Sequence, residues 1–227
     1  AIDGKPDEKT GPLLEPILKP LWAAYRILKA GRDRRQPLEL DMPERKILLK
    51  PDGTVDRVFV PDRLDAHKLI EEMMIQANVC AAETLEKRRQ PLIYRVHDAP
   101  SLAKQEVLRE FLATLGIPMA KGGQMRANSF NGILAKADGT QHQTMVNEMV
   151  LRSQSQAVYS PENIGHFGLN LMKYAHFTSP IRRYADLIVH RALVGSLGLG
   201  EGGITPDEEA ALDDIAAEIS TFERRAM

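Results

Sequence analysis

The stretch from Asp65 to Arg88 limits the possible folds more than any other part of this chain. It reads as the longest helix. Leu69, Ile70, Met73, Met74, Ile75, Ala77, Val79, Cys80, Ala81 and Ala82 leave it almost no polar face. A helix of that kind is expected inside a domain, buried on most sides, with Cys80 as a buried structural thiol. The polar residues on it then need partners. Glu71 and Asn78 fall on one face, and Glu72 is turned about a quarter circle away. A buried carboxylate without a partner is costly. Glu71 or Glu72 is therefore expected to meet a cation or a hydrogen-bonding ligand, and an arginine inside the core is the alternative.

Other elements can be placed around this helix. Leu14, Ile17, Leu18, Leu21, Trp22, Tyr25 and Leu28 keep helical spacing from Leu13 to Lys29, and Gly31 suits the residue after a helix end. The basic run that follows, with Arg26, Lys29, Arg32, Arg34 and Arg35, reads either as a solvated helix end or as a phosphate-facing track. From Leu38 to Pro61, three short strand-like segments (LEL, RKILLK and VDRVFV) and a Pro51-Asp52-Gly53 turn predict a small antiparallel hairpin or meander. Ser101 to Gly116 is an amphipathic helix. A weaker helical segment punctuated by Gly122-Gly123 and Asn131-Gly132 comes next, then a helix ending at Ser153. Short strands are expected at Gln156–Ser160 and Gly165–Leu169. Thr205 and Pro206 open a last helix. The fold class expected is α/β, mixed and helix-rich, with long buried helices and a small antiparallel sheet.

The chemistry concentrates between His166 and His190. Thr178 and Ser179 are candidate N-caps and Pro180 suits a first helical position, so a helix is predicted to start at that step with Arg182 and Arg183 in its first turn. Open amides, the helix dipole and two guanidinium groups together describe a phosphate site. Arg182, Asp186 and His190 recur every four residues, a spacing that would let Asp186 orient Arg182 and His190 support Asp186. A capped surface helix with ordinary ion pairs is the alternative. The histidines form neither HxxxH nor HExxH, and one cysteine offers no ligand set, which argues against zinc.

Composition restricts the partners. Thirty basic and 31 acidic residues give a net charge of −1, without the basic excess of a free-standing nucleic-acid binder, so contact with a polyanion must be a local track. No apolar run approaches the length of a membrane span. The single cysteine excludes an internal disulfide and fits a reducing cytoplasm. The opening residues Ala1 to Pro12 are polar and read as a connecting loop.

His166-Phe167-Gly168-Leu169, Tyr174, Phe177 through Tyr184, Asp186 and His190 resemble the signature of the RNB exoribonucleases, the ribonuclease II and ribonuclease R family. Leu69 to Glu83, Ile93 to Ser101 and Arg152 to Leu169 are also similar to that family, more to its ribonuclease R branch. The resemblance implies 3′-to-5′ hydrolysis of single-stranded RNA to nucleoside 5′-monophosphates with Mg²⁺, by a monomer. It implies that Arg182 binds a scissile-phosphate oxygen, with Arg183 second. It places Glu71, or failing that Glu72, at the 3′-terminal nucleotide, and Asn78, Lys173 and Tyr174 along the RNA, with Ser179, Asp186 and His190 in support. Leu40 stands at the position of a base-stacking aromatic. No aspartate here resembles the family's metal-binding motif. The Mg²⁺ ligands are expected upstream of Ala1 and a further functional glutamate beyond Met227. Residues 1–227 therefore read as a single partial domain, the C-terminal portion of an RNB catalytic domain. A non-catalytic RNA-binding relative and a helical interaction scaffold are the alternatives.

Overall fold

Helices carry most of the chain in the computed structural model, which describes residues 4–40, 42–123 and 125–226. The elements run α1 (Gly11–Leu13), a π-helical turn (Leu14–Leu18), α2 (Lys19–Arg35), β1 (Lys46–Leu49), β2 (Val55–Phe59), α3 (Asp65–Lys87) and β3 (Tyr94–Val96). They continue with α4 (Leu102–Thr114), α5 (Ala127–Ala137), α6 (Gln143–Ser153), β4 (Val158–Ser160), α7 (Tyr184–Leu197), α8 (Pro206–Ala210) and α9 (Leu212–Ala226). The mixed, helix-rich class holds. Among the described residues the strands form two separate antiparallel pairs, β1 with β2 and β3 with β4.

α3 packs against α2 and α7. Its buried stripe repeats at three- and four-residue steps, Leu69, Glu72, Ile75, Asn78, Ala82 and Leu85, as one face of a 3.6-residue helix must. Burial on most sides does not hold. Ile70, Gln76, Cys80 and Glu83 lie on the far side in solvent, so Cys80 is an exposed thiol. One core joins this stripe to β3 and α7 through Leu85, Tyr94, Val96 and Val189. A second lies among α4, α5 and α6 around Phe130, and a third joins Ile93 and Tyr159 to α7 and α9.

Several local expectations change. The first helix passes through Gly31 and ends only at Gln36, whose φ of 51° is left-handed. Pro16 falls in the π-helical turn, where a missing N–H is tolerated. The LEL segment is extended but forms no strand: the Leu38 amide donates to Gly168 O at 2.8 Å. Asn131-Gly132 is no breakpoint, because it sits inside α5. There the Asn131 side chain holds the extended segment, donating to Pro37 O at 2.7 Å and accepting from the Glu39 amide at 2.9 Å. Gly165–Leu169 makes only isolated bridges through His166. Ser101 and Thr205 do cap their helices, and Thr205 forms a reciprocal box with Glu208.

A column of rings ties the second core to the third. Phe130, Phe167, His97, His166, Tyr174, His176 and Tyr159 meet edge-on in that order, with centroids 5.1 to 6.0 Å apart. Its histidines are neutral. His97 accepts the Gly168 amide at Nδ1 and faces Ser155 O with Nε2, both at 2.9 Å. Burial, then the charges of neighbouring groups, holds His166 and His176 at a pKa of about 3, and burial also lowers His97. The cationic neighbours are Arg95 for both and Arg183 and Arg182 for His176.

Two outcomes are expected. A Cβ at Gly168 would come within 2.9 Å of His97 Nδ1, so Gly168→Ala should destabilise the fold by roughly 1–3 kcal/mol in urea unfolding. An unchanged midpoint would mean that the ring moves aside freely. The unfolded chain protonates its histidines near the ordinary pKa of about 6.5, whereas the folded chain does so only near 3 for His166 and His176. Their contribution is therefore complete above about pH 6.5 and is lost progressively as pH falls towards 3. Urea midpoints should drop across that window, and His176→Gln should flatten the drop; equal slopes would contradict the neutral column.

Candidate RNA-contacting cleft

The segment from Thr178 to Arg183 is a turn, and α7 begins only at Tyr184 with Arg183 as its N-cap residue. Neither Thr178 nor Ser179 caps it. Two side chains from elsewhere hold the turn instead. Asn78 on α3 accepts the amides of Phe177 and Thr178 on Oδ1, at 2.9 and 3.2 Å. Asp186 on α7 accepts the Ser179 amide at 2.7 Å. Ser179 O then takes the amides of Arg182 and Arg183 at 3.2 and 3.1 Å. The amides of Phe177, Thr178, Ser179, Arg182 and Arg183 are thus satisfied within the protein, and the guanidinium groups add positive charge beside them.

The two arginines differ. Asp186, fully buried, binds Arg183 by Nε at 2.7 Å and Nη2 at 2.9 Å. The four-residue spacing had pointed to Arg182, but Arg182 lies before the helix, so the i, i+4 relation does not apply. Arg182 is exposed, and its one side-chain hydrogen bond is a long 3.5 Å contact to Ser179 Oγ. His190 does not support Asp186. Its Nε2 lies 2.8 Å from Phe177 O, and its ring stacks on Phe177 at 4.2 Å, bracing the entry to the turn.

Beneath the turn is a cleft of about 370 Å³, lined by Glu71, Ile75, Asn78, Tyr174, Thr178 and Arg183 among others. The Thr178 hydroxyl is buried there without a hydrogen-bond partner, the kind of group a bound ligand satisfies. Glu71 also lines a second cavity of about 620 Å³ with Arg32, Arg63, Lys68 and Leu40. The two carboxylates therefore part company. Glu72 is buried on Arg32 at 2.8 Å, the core ion pair held open as the alternative. Glu71 is 36% exposed in its side chain, pairs with Arg63 and lies 3.6 Å from Arg32. That arginine pairing had no short-range sequence signal, because Arg32 comes from a different helix.

Asn78 and Tyr174 are committed to each other, the Asn78 amide donating to Tyr174 Oη at 3.0 Å. Both line the cleft while their polar atoms serve the turn behind it. Lys173 is paired with Glu86, which also accepts Tyr94 Oη at 2.8 Å, and it lines neither cavity. Within the basic run, Arg32 and Arg35 turn inward, Arg35 donating to Leu169 O at 2.8 Å, while Arg26 and Arg34 stay in solvent. Asp41 lies outside the described residues. No group of three or more His, Cys, Asp or Glu among the described residues is arranged to hold a metal ion. The carboxylates at the cleft do not fit Mg²⁺ either, since Asp186, Glu71 and Glu72 are each engaged by arginine.

The RNB domain model matches residues 1–198. Ribonuclease R of Vibrio parahaemolyticus is 39% identical over 199 residues, covering 86% of this chain and 24% of that protein. The chain thus spans about a quarter of the length of such curated relatives. A solved structure, Mycoplasma genitalium RNase R in complex with ribose methylated single-stranded RNA, aligns over 97% of this chain and 35% of that one, at TM-score 0.83 and 26% identity. Yeast Ssd1, described as a pseudonuclease, aligns over 71% of this chain and 20% of its own, at TM-score 0.56 and 25% identity. With a family model over most of its length and a ribonuclease R so similar to it, the chain belongs to the RNB family.

Proposed function

We propose that this chain is the C-terminal portion of the catalytic domain of a monomeric, cytoplasmic exoribonuclease that hydrolyses single-stranded RNA from its 3′ end to nucleoside 5′-monophosphates. The observation that carries this reading is Arg182, an exposed guanidinium on a turn held from behind by Asn78 and Asp186. A donor carried on backbone that is already held stabilises charge growing on a phosphate with less reorganisation during the reaction. Arg183, half-buried on Asp186, shapes the cleft wall. Glu71, on the rim shared by both cavities, is the carboxylate suited to a terminal ribose hydroxyl. The similar RNase R bound to single-stranded RNA supports the substrate class. A free thiol is compatible with a reducing compartment, and no helix among the described residues is long and apolar enough to cross a membrane.

Mg²⁺ in such an enzyme activates water and neutralises phosphate charge. The described residues supply no ligand set for it, and the family resemblance implies one outside them. A non-catalytic RNA binder is the second reading, favoured by the likeness to the pseudonuclease. Its mark would be RNA binding by the longer polypeptide with no cleavage in Mg²⁺.

The 227-residue chain alone, incubated with 5′-labelled oligoadenylate and Mg²⁺, should leave the substrate intact. Stepwise shortening would overturn the assignment of the metal ligands. In the longer polypeptide, Arg182→Ala should lower kcat roughly 10²- to 10³-fold. Arg182→Lys should recover only part of that, since an ammonium lacks the planar fork. Affinity for RNA without metal should fall much less, because other contacts share the backbone. Near-normal single-turnover cleavage by Arg182→Ala would remove this residue from the reacting phosphate.

A further inference from the structure

The β1–β2 ribbon has two unlike faces, and every residue of both strands is exposed. In its register Lys46 lies opposite Phe59 and Leu48 opposite Arg57, so these four side chains share one face. Ile47 and Val58 are paired on the other face, which is aliphatic. On the first face the Arg57 guanidinium sits 5.3 Å from the centre of the Phe59 ring, itself 37% exposed. Asp52, in the connecting turn, is occupied by Thr54, whose hydroxyl and amide it accepts at 2.6 and 2.9 Å. Asp56 lies beside the irregular step of the ladder.

The segments on either side of the ribbon reach the larger cavity. Leu38, Glu39 and Leu40, on the approach to β1, line that cavity, as do Arg63 and Lys68 after β2. Glu71 is shared between this cavity and the cleft under the arginine turn.

We infer that the Lys46, Arg57 and Phe59 face is a stacking subsite for one base of single-stranded RNA outside the cleft. The inference rests on the RNA reading above. Any base can stack on Phe59, because every base has a π-face, and Lys46 and Arg57 can pair with the phosphates on either side of it. Arg57 already packs on the ring, so little side-chain freedom is left to lose when a base arrives. The aliphatic face, with Ile47 and Val58, offers no charge to a polyanion, and the test probes it separately.

The test is fluorescence anisotropy of the 227-residue chain with two labelled oligoadenylates, one of about 4 nucleotides and one of about 12, in EDTA at fixed salt. Phe59→Ala should weaken the long oligonucleotide about tenfold and leave the short one unchanged, while Phe59→Trp should retain tight binding. Replacing both Lys46 and Arg57 with alanine should reduce the salt slope by roughly 1.4, about 0.7 for each phosphate contact on a single strand. Long-oligonucleotide binding by Phe59→Ala equal to wild type overturns the subsite but leaves the RNA reading standing. Loss of long-oligonucleotide binding in Ile47→Glu without loss in Phe59→Ala overturns it and moves the RNA contact to the aliphatic face. Failure of the wild-type chain to bind either oligonucleotide overturns both readings.

Discussion

Asn78 holds the arrangement together. Its carboxamide is buried and engaged at both ends, with two backbone amides of the Phe177–Thr178 step on its oxygen and the Tyr174 hydroxyl on its nitrogen. It joins the central helix to the segment carrying the arginines, and it fixes Tyr174 in the column of rings that spans two cores. Removing either partner would leave buried polar groups unmatched, which costs more than the bond itself contributes. The turn before α7 is therefore held against the core of the domain, not merely by its own sequence.

Asp186 completes the hold from the other side and divides the labour of the arginines. A fully buried carboxylate needs a cation and hydrogen bonds, and it finds them in Arg183 and the Ser179 amide. Arg183 is thereby turned into a wall of the cleft. Arg182, one residue earlier, is left in solvent on a backbone already fixed. Held backbone beneath an exposed guanidinium is a sound basis for meeting a phosphate, because the backbone's ordering cost is met in folding. The same logic separates Glu72, neutralised inside by Arg32, from Glu71 on the rim.

Elements whose signals are local were legible in the sequence. Ser101 and Thr205 start helices as their hydroxyls and the following residues require, and Pro51-Asp52-Gly53 turns the β1–β2 hairpin, with Gly53 at a φ of 83°. The extent of α3 follows from the density of its apolar residues between Asp65 and Lys87. Signals that depend on a distant partner misled. Asn131-Gly132 reads as a turn but remains helical, because its side chain serves the segment at Pro37 and Glu39. Cys80 reads as core but faces solvent, because apolar composition does not say which side of a helix is covered.

The residues between His166 and His190 were enough to place the chain in the RNB family and to single out its arginines, since residue types and their spacing are properties of the sequence itself. Which arginine each carboxylate holds was decided by tertiary structure alone. The i, i+4 rule assumes helix at both positions, and the amides of Phe177, Thr178 and Ser179 are drawn instead to Asn78 and Asp186, delaying the helix to Tyr184. A local capping preference is worth about 1 kcal/mol. Three bonds to buried side chains, whose loss would strand polar groups in the core, outweigh it.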